Sequence, residues 1–564
     1  MCLTLLTACD PGVNCPEGQR QEGLECVEPA VVFYNTVGFL PGRVKQATVL
    51  GRADRFEVRR ASDDEVVFEG ELSKTRLDED TGQKVRIADF TELAKPGRYV
   101  VTVADLRPSD EFRIDDDLYR APLEASLLGF YGQRCGTELS FEYDDETYSH
   151  GACHEDDASL ELVPDQKGTL DGTSGWHDAG DYGKYTVNGA FSLAFLLDAW
   201  QHFGDAAFAG VEHIPNYDGE LPPVLEEARY EIEWLLKMQF EDGTVSHQIR
   251  PLNYEPAIMP DRDSAKRFFS TASTAATGSF AAVMALAARV YEPYDADLSA
   301  RCLQAARLSV EWLEAHPDTD LQANHENWPN ATYATPSFDD VLWARTELWA
   351  TTGDEELLGE VESVFARASV GDTWDWSDAT NLALFTYALS DSDSRSATTV
   401  DWTRQSILAS ADRIVEAAKA NGFGRGLSSY TYNWGSNGAV ARSCMNLAAA
   451  YQLAQDEAYV DGCVHQLDYL LGRNYFGRSM VTAVGLRPPL HPHHRPSQAL
   501  GRAWPGLLVG GPNASSQENP NLYDGIHPGQ AWFDEAGDYY TNEIAINWNA
   551  ALVYALAFVR AAGG

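Results

Sequence analysis

Residues 97–133 read GRYVVTVADLRPSDEFRIDDDLYRAPLEASLLGFYGQ, and the hydrophobic period changes inside them. GRYVVTV and EFRID alternate apolar and polar positions between Pro and Asp turns, whereas the apolar residues near 118–133 recur at helical spacing. Upstream, the runs VVFYNTVGF, KQATVL, RFEVRR, EVVFEGEL and KVRIADF continue the first pattern, which predicts a small antiparallel β-sandwich over residues 30–115. Downstream, apolar stripes lie near 118–133, 184–203, 222–240, 272–291, 297–315, 338–352, 355–369, 379–390, 401–421, 438–455, 457–472 and 541–561. About twelve helices without intervening strands suit six hairpins arranged as an inner and an outer ring, an α/α barrel, although other helical arrays share this periodicity. The loops at 136–180, 243–270, 317–337 and 474–540 exceed ordinary connections, which favours function over linkage. The chain therefore divides into a tether (1–29), an all-β module (30–115) and an all-α domain (116–564).

The length of 564 residues exceeds one ordinary domain, and 44% hydrophobic content supports a folded globule. With 85 acids against 42 bases and a formal charge of -43, the chain is unsuited to nucleic acid or an anionic membrane, while a neutral polymer is compatible with it. The acidity itself reads as a well-solvated surface. No apolar run of about 18 residues follows the N-terminus, so no segment reads as membrane-spanning. MCLTLLTAC ends in Leu6-Thr7-Ala8-Cys9, which resembles the cleavage box of bacterial lipoproteins, but it lacks the basic residues and apolar length of a whole signal peptide. The expectation is an extracellular or cell-surface protein with a lipid anchor at Cys9 and a polar tether over 10–29, in which Cys15 and Cys26 could close a loop. Cys302, Cys444 and Cys463 fall in helical, partly apolar stretches and are expected as buried free thiols.

Two segments carry acid–base chemistry: GWHDAGDYGKY at 175–185 and DYYTNEIAINWNA at 538–550. Hydrolysing a glycosidic bond by inversion needs one carboxylate to activate water and one carboxylic acid to protonate the leaving oxygen. Asp178, Asp181 and Glu543 could fill these roles. The plainer alternative is capping, since both Asp precede a helix and Glu543 is expected in the first turn of another. Against capping stand the surrounding aromatics, Trp176, Tyr182 and Tyr185 in one segment and Tyr539, Tyr540 and Trp548 in the other, which offer stacking faces and could desolvate Glu543 enough to keep its proton. Cys135, Cys153, His154 and His177 are a tetrahedral zinc set in kind, with a Cys135–Cys153 disulfide as the rival. In LRPPLHPHHRPSQ, His491, His493, His494 and Arg495 read as donors to sugar hydroxyls or to a catalytic carboxylate rather than as metal ligands. Tyr432 and Trp434 precede a helix, where stacking on a sugar and core packing are both open.

These residues carry a family resemblance over about 33–562. NTVGFLP at 35–41 resembles NQVGYLP, the opening of an immunoglobulin-like module; WHDAGDYGKY resembles a catalytic Asp block; Ser479 to Arg495, ending PHHR, and Trp532 to Ala550 fit two signatures. Together they resemble glycoside hydrolase family nine, the bacterial and plant cellulases, in the branch with an N-terminal immunoglobulin-like domain. The resemblance implies an (α/α)6 barrel catalytic domain behind that sandwich. It implies Asp181 as base, Asp178 as a second holder of the water, Glu543 as acid, and His493 and Arg495 at the scissile sugar, with Trp434 and Tyr539 as further substrate contacts. It implies structural zinc at Cys135, Cys153, His154 and His177, calcium at Asp339, Asp340 and Asp378 (from SFDDVLW and WDWSD), and no organic cofactor. The implied activity is inverting cleavage of β-1,4-glucan by a monomeric endoglucanase. The same architecture also serves cellobiohydrolases, β-glucosidases and glucosaminidases, the loops 243–270, 317–337 and 474–540 deciding between them, and aromatics such as Trp328 and Trp434 flanking an open groove would favour endo attack. A non-catalytic glycan-binding surface lipoprotein is a more remote alternative.

Overall fold

The computed structural model describes residues 31–563 except 157, 212–214, 216, 218, 329–331, 366–367 and 524, together with the backbone of the strands Arg20–Glu22 and Glu25–Val27. The lipid-anchor reading of Cys9 and the Cys15–Cys26 loop lie outside the described residues.

Two four-stranded antiparallel sheets form the N-terminal module. One runs Val32–Phe33, Gln46–Val49, Gln83–Asp89, Arg76–Asp78 in spatial order, the other Phe112–Ile114, Gly97–Val103, Arg55–Arg60, Val66–Glu71. Alternation does the work: Tyr99, Val101 and Val103 face inward while Val100 and Thr102 between them are only half-buried. The inner faces meet at Phe39, whose ring packs edge-on against Phe90 at 5.1 Å and Phe112 at 5.3 Å.

Fourteen helices follow among the described residues: α1 Arg120–Gly132, α2 Thr186–Phe208, α3 Pro223–Lys237, α4 Thr274–Tyr291, α5 Ala296–Ala315, α6 Phe338–Thr352, α7 Glu355–Phe365, α8 Thr380–Leu389, α9 Ala397–Ala420, α10 Ser436–Ala454, α11 Glu457–Leu470, α12 Arg495–Leu500, α13 Tyr539–Asn542 and α14 Ile546–Ala562. Setting aside the short α12 and α13, six of them close a ring by successive contacts, α14 to α2 to α4 to α6 to α8 to α10 and back to α14. The outer helices α1, α3, α5, α7, α9 and α11 each back onto a ring member, giving the (α/α)6 barrel. Sequence distinguishes the rings. Every residue of α4 except Arg289 is buried, whereas α5 buries one stripe, Leu298, Cys302, Ala305, Ala306, Ser309, Val310 and Leu313, and turns its charges outward.

Two expectations change here. The long loops are not free of strands: Leu139–Tyr143 pairs with Glu146–His150, and a mixed five-stranded sheet gathers short pieces between Ala158 and Phe269. Buried backbone must hydrogen-bond, and loops this long satisfy it by pairing with one another. Cys444 and Cys463 are not free thiols but a disulfide, with Cα atoms 5.1 Å apart. Local periodicity places each on a helix, and only the packing of α10 against α11 brings the two sulfurs together. Cys302 is a buried free thiol, and Cys135 and Cys153 are not bonded to each other.

Candidate active site

The cleft opens where inner-ring helices begin. Its lining includes Tyr185 just before α2, Tyr333 shortly before α6, Asp375, Trp376 and Asp378 before α8, Trp434 before α10, and Glu543 before α14. Asp178, Asp181, His493 and Arg495 complete the centre of this cavity of about 1430 Å³. Helix N-termini carry partial positive charge, which favours the carboxylates collected there.

Three segments far apart in the chain are stitched at its floor. Ala179 bridges to Ala545, His493 bridges to Glu543, and the Arg495 N–H donates to the Gly180 carbonyl at 2.9 Å. Gly180 explains part of the DAGD spacing: a Cβ there would lie 2.3 Å from the His493 carbonyl oxygen, so a side chain would push these strands apart. Glu543 is therefore not in a helix's first turn, as its sequence context suggests. It has extended backbone (φ -66, ψ 156) between α13 and α14, committed to the bridge with His493. Nor do the two Asp cap α2, which starts at Thr186 after Tyr185.

The carboxyls differ in surroundings. Burial, and then the nearby Asp181, push Glu543 up to about 8, with Arg495 opposing. Asp178 is buried and likewise raised to about 7 by burial, although Asn188 Nδ2 donates to its Oδ1 at 2.7 Å and the Tyr333 hydroxyl donates to its Oδ2 at 2.7 Å. Asp181 is half-buried and accepts the Gly183 N–H at 2.7 Å, leaving its other oxygen for a reactant. One carboxyl thus holds a proton near neutrality beside another that faces the cleft.

His493 Nε2 and Arg495 Nη1 are 2.6 Å apart, and Arg495 Nε lies 3.6 Å from the buried Glu255 carboxylate. His494 instead turns away from the cleft toward Gln133 Oε1 at 2.9 Å, and His491 is exposed outside the lining. Tyr539 and Trp434 pack with ring centroids 5.6 Å apart beside Tyr540. Tyr432 and Trp328 are buried and do not line the cleft, so Trp328 cannot flank the groove. Sequence reasoning missed Tyr254, Tyr333, Trp376 and Glu255. They sit in irregular segments with no periodic signal, and only the aromatic content of the loops hinted at them.

Behind this floor, Cys135, Cys153, His154 and His177 bring one ligand atom each within 4.8 Å of all the others. Two thiols and two imidazoles suit a closed tetrahedral zinc site. Hydrogen bonding between the thiols holds Cys135 well below its usual value and pushes Cys153 up, and burial lowers His177 to about 4, leaving a neutral imidazole. His154 Nε2 lies 3.2 Å from Asp263 Oδ2, the outer carboxylate that orients metal-bound histidines. The calcium expectation fares differently. Among the described residues the Cys/His set is the one group of three or more such side chains that converges, and Asp339, Asp340 and Asp378 do not. One oxygen of each has a nearby donor: Asp339 accepts the Ala379 N–H at 2.6 Å, Asp340 the Ser279 hydroxyl, and Asp378 the Thr380 N–H at 3.1 Å, while Asp340 Oδ2 is buried without a hydrogen-bond partner.

Residues 119–556 match the profile of glycosyl hydrolase family 9, and residues 28–107 that of the cellulase N-terminal ig-like domain. The chain belongs to glycosyl hydrolase family 9. Within this family, endoglucanase D of Acetivibrio thermocellus is 39% identical over 93% of this chain and 82% of its own length. A cellodextrinase of Butyrivibrio fibrisolvens is 32% identical over 93% of this chain and 99% of its own. A solved structure, the Zn-binding triple mutant of the family 9 endoglucanase J30, superposes with a TM-score of 0.87 at 32% identity, covering 92% of this chain and 99% of that one.

Proposed function

We propose that this family 9 hydrolase is an inverting endo-β-1,4-glucanase. The observation that carries the reading is the pairing on one cleft floor of two half-buried carboxyls, Glu543, raised to about 8 by desolvation and by the nearby Asp181, and Asp181 itself. Asp181 takes a proton from a water attacking the anomeric carbon, Asp178 helps to hold that water, and Glu543 gives its proton to the departing glycosidic oxygen. Water's hydroxyl ends on the anomeric carbon, the aglycone leaves as an alcohol, and the proton gained by Asp181 balances the one lost by Glu543. His493 and Arg495 contact the sugar at the scissile bond, Tyr539, which packs against His493 at 5.6 Å, stacks on the next one, and Trp434, which packs against Tyr539, meets sugars farther along the cleft.

Endo attack is supported by the extent of the cleft. Its volume of about 1430 Å³ exceeds a small-molecule pocket, and aromatics lie both with Asp178 (Tyr185, Tyr333, Trp376) and beyond Glu543 (Tyr539, Tyr540, Trp434). Cys135, Cys153, His154 and His177 would hold a structural zinc ion, which with four protein ligands leaves no position for water and takes no part in the chemistry. A polymer substrate and the Cys444–Cys463 disulfide both favour an extracellular location.

Incubation with carboxymethyl cellulose, mixed-linkage glucan and chito-oligosaccharides, followed by product size and anomer, tests the reading. A rapid fall in viscosity with α-anomers appearing first is expected. β-Anomers, or release of one short product only, would overturn inversion or endo attack respectively.

A further inference from the structure

One end of the cleft is built from residues 428–435 and 513–518, which contribute Tyr430, Trp434 and Glu518 to its lining. Neither loop belongs to a long helix, yet both are anchored, and the anchor is the N-terminal sandwich. At the tip between the strands Arg76–Asp78 and Gln83–Asp89, the Asp80 carboxylate accepts the Tyr432 hydroxyl at 3.3 Å and Asn421 Nδ2 at 3.1 Å. The Asp80 carbonyl accepts the Gly529 N–H at 2.7 Å, and the Thr81 carbonyl accepts Gln530 Nε2 at 2.8 Å. Tyr432 is buried, with the Arg425 guanidinium 3.9 Å over its ring, and its carbonyl accepts the Ala514 N–H at 2.9 Å. Glu518 in turn accepts the Trp434 N–H at 3.2 Å. The contacts run from the sandwich tip through Tyr432 to both cleft loops and end at the Trp434 backbone.

We infer that Asp80, acting through Tyr432, is a positioning residue that sets the distal, Trp434-bearing end of the cleft and thereby governs the grip on long glucan chains. This rests on the reading of the cleft as a β-glucan site. The sandwich is then part of the substrate-binding wall rather than a separate appendage, although it places no side chain in the cleft. A longer chain reaches this end and a short one bound at the carboxyls does not, so substrate length separates the role from general stabilisation.

The experiment compares the full-length protein with Asp80→Ala, with the milder Tyr432→Phe, and with Asn35→Ala. Asn35 holds the same sandwich to the barrel through Asp468 at 2.9 Å and Tyr119 at 3.1 Å, away from both loops. Steady-state kcat and KM are measured on carboxymethyl cellulose and on cellotetraose, with Tm for each variant. For Asp80→Ala and Tyr432→Phe the polymer KM should rise about two- to fivefold, the effect of one lost hydrogen bond, with kcat and the cellotetraose parameters nearly unchanged. Asn35→Ala should lower Tm without changing the ratio of the two KM values. An unchanged polymer KM in both cleft-side variants overturns the inference, as does an equal loss on both substrates. A wild-type protein inert on every β-glucan would instead sink the functional reading, and this inference with it.

Discussion

His177 and Asp178 are neighbours in the chain, yet they belong to opposite kinds of site. His177 points into the Cys/His set, where four donors close on one another and the carboxylate at hand, Asp263, bonds His154 from outside. Asp178 points into the cleft, where carboxyls crowd and burial and mutual repulsion raise two of them. The first arrangement would be satisfied by a bound cation, and the second by holding a proton. The same burial thus suits one cluster to a cation and, on the proposed mechanism, the other to a proton given up at each turnover.

The comparison breaks most visibly at Glu543. Glu543→Gln should lower kcat by about 10²- to 10⁴-fold, the range of a general acid, read on an unactivated glucan. The same variant should be more stable than the wild type on the alkaline side. The folded carboxyl sits near 8 against an ordinary 4.5, so the stability it contributes is complete below about 4.5 and is lost as pH rises through 8. Thermal melts across that window should show the gap widening with pH, and wild-type activity should fall through the same alkaline range as Glu543 loses its proton. A melting difference independent of pH would mean that Glu543 is ionised in the fold.

Metal removal acts on the other cluster and should separate stability from chemistry. A strong chelator, or Cys135→Ser, is expected to lower Tm by several degrees and, below the new melting point, to reduce kcat less than Glu543→Gln does. Metal analysis should find about one zinc per chain in the wild type. Complete loss of turnover well below melting would assign the metal to the reaction.

Smaller effects sharpen the contrast within the cleft. Tyr333→Phe removes the hydroxyl that donates to Asp178, and kcat should fall about tenfold with KM little changed, because the water-holding carboxylate is then less fixed. Trp434→Ala should mainly raise the polymer KM, by about fivefold, since the ring offers a stacking face away from the transferred proton. If Trp434→Ala lowered kcat as much as Tyr333→Phe, the division into reacting centre and binding wall would fail.

Much of this was legible in one dimension because the relevant signals are local. The alternation of GRYVVTV and the stripes from 118 onward report how a strand or helix meets the core, so the sandwich and the succession of helices follow from side-chain spacing, while the choice of two rings over another helical array rests on the family resemblance. The donor types of Cys135, Cys153, His154 and His177, and the carboxyls of Asp178, Asp181 and Glu543, are likewise chemistry that each residue carries wherever it sits. Tertiary structure alone decided the rest. Glu543 looked like a helix-start residue because its neighbours are helical, and only the bridge to His493 draws it into extended backbone. The Cys444–Cys463 bond, the donors Tyr333 and Asn188 at Asp178, the burial of Trp328 and Tyr432, and the hold of Asp80 on the cleft loops all join residues between 10 and 352 positions apart. Periodicity describes how one segment faces the core, whereas these contacts depend on which segments the core places side by side.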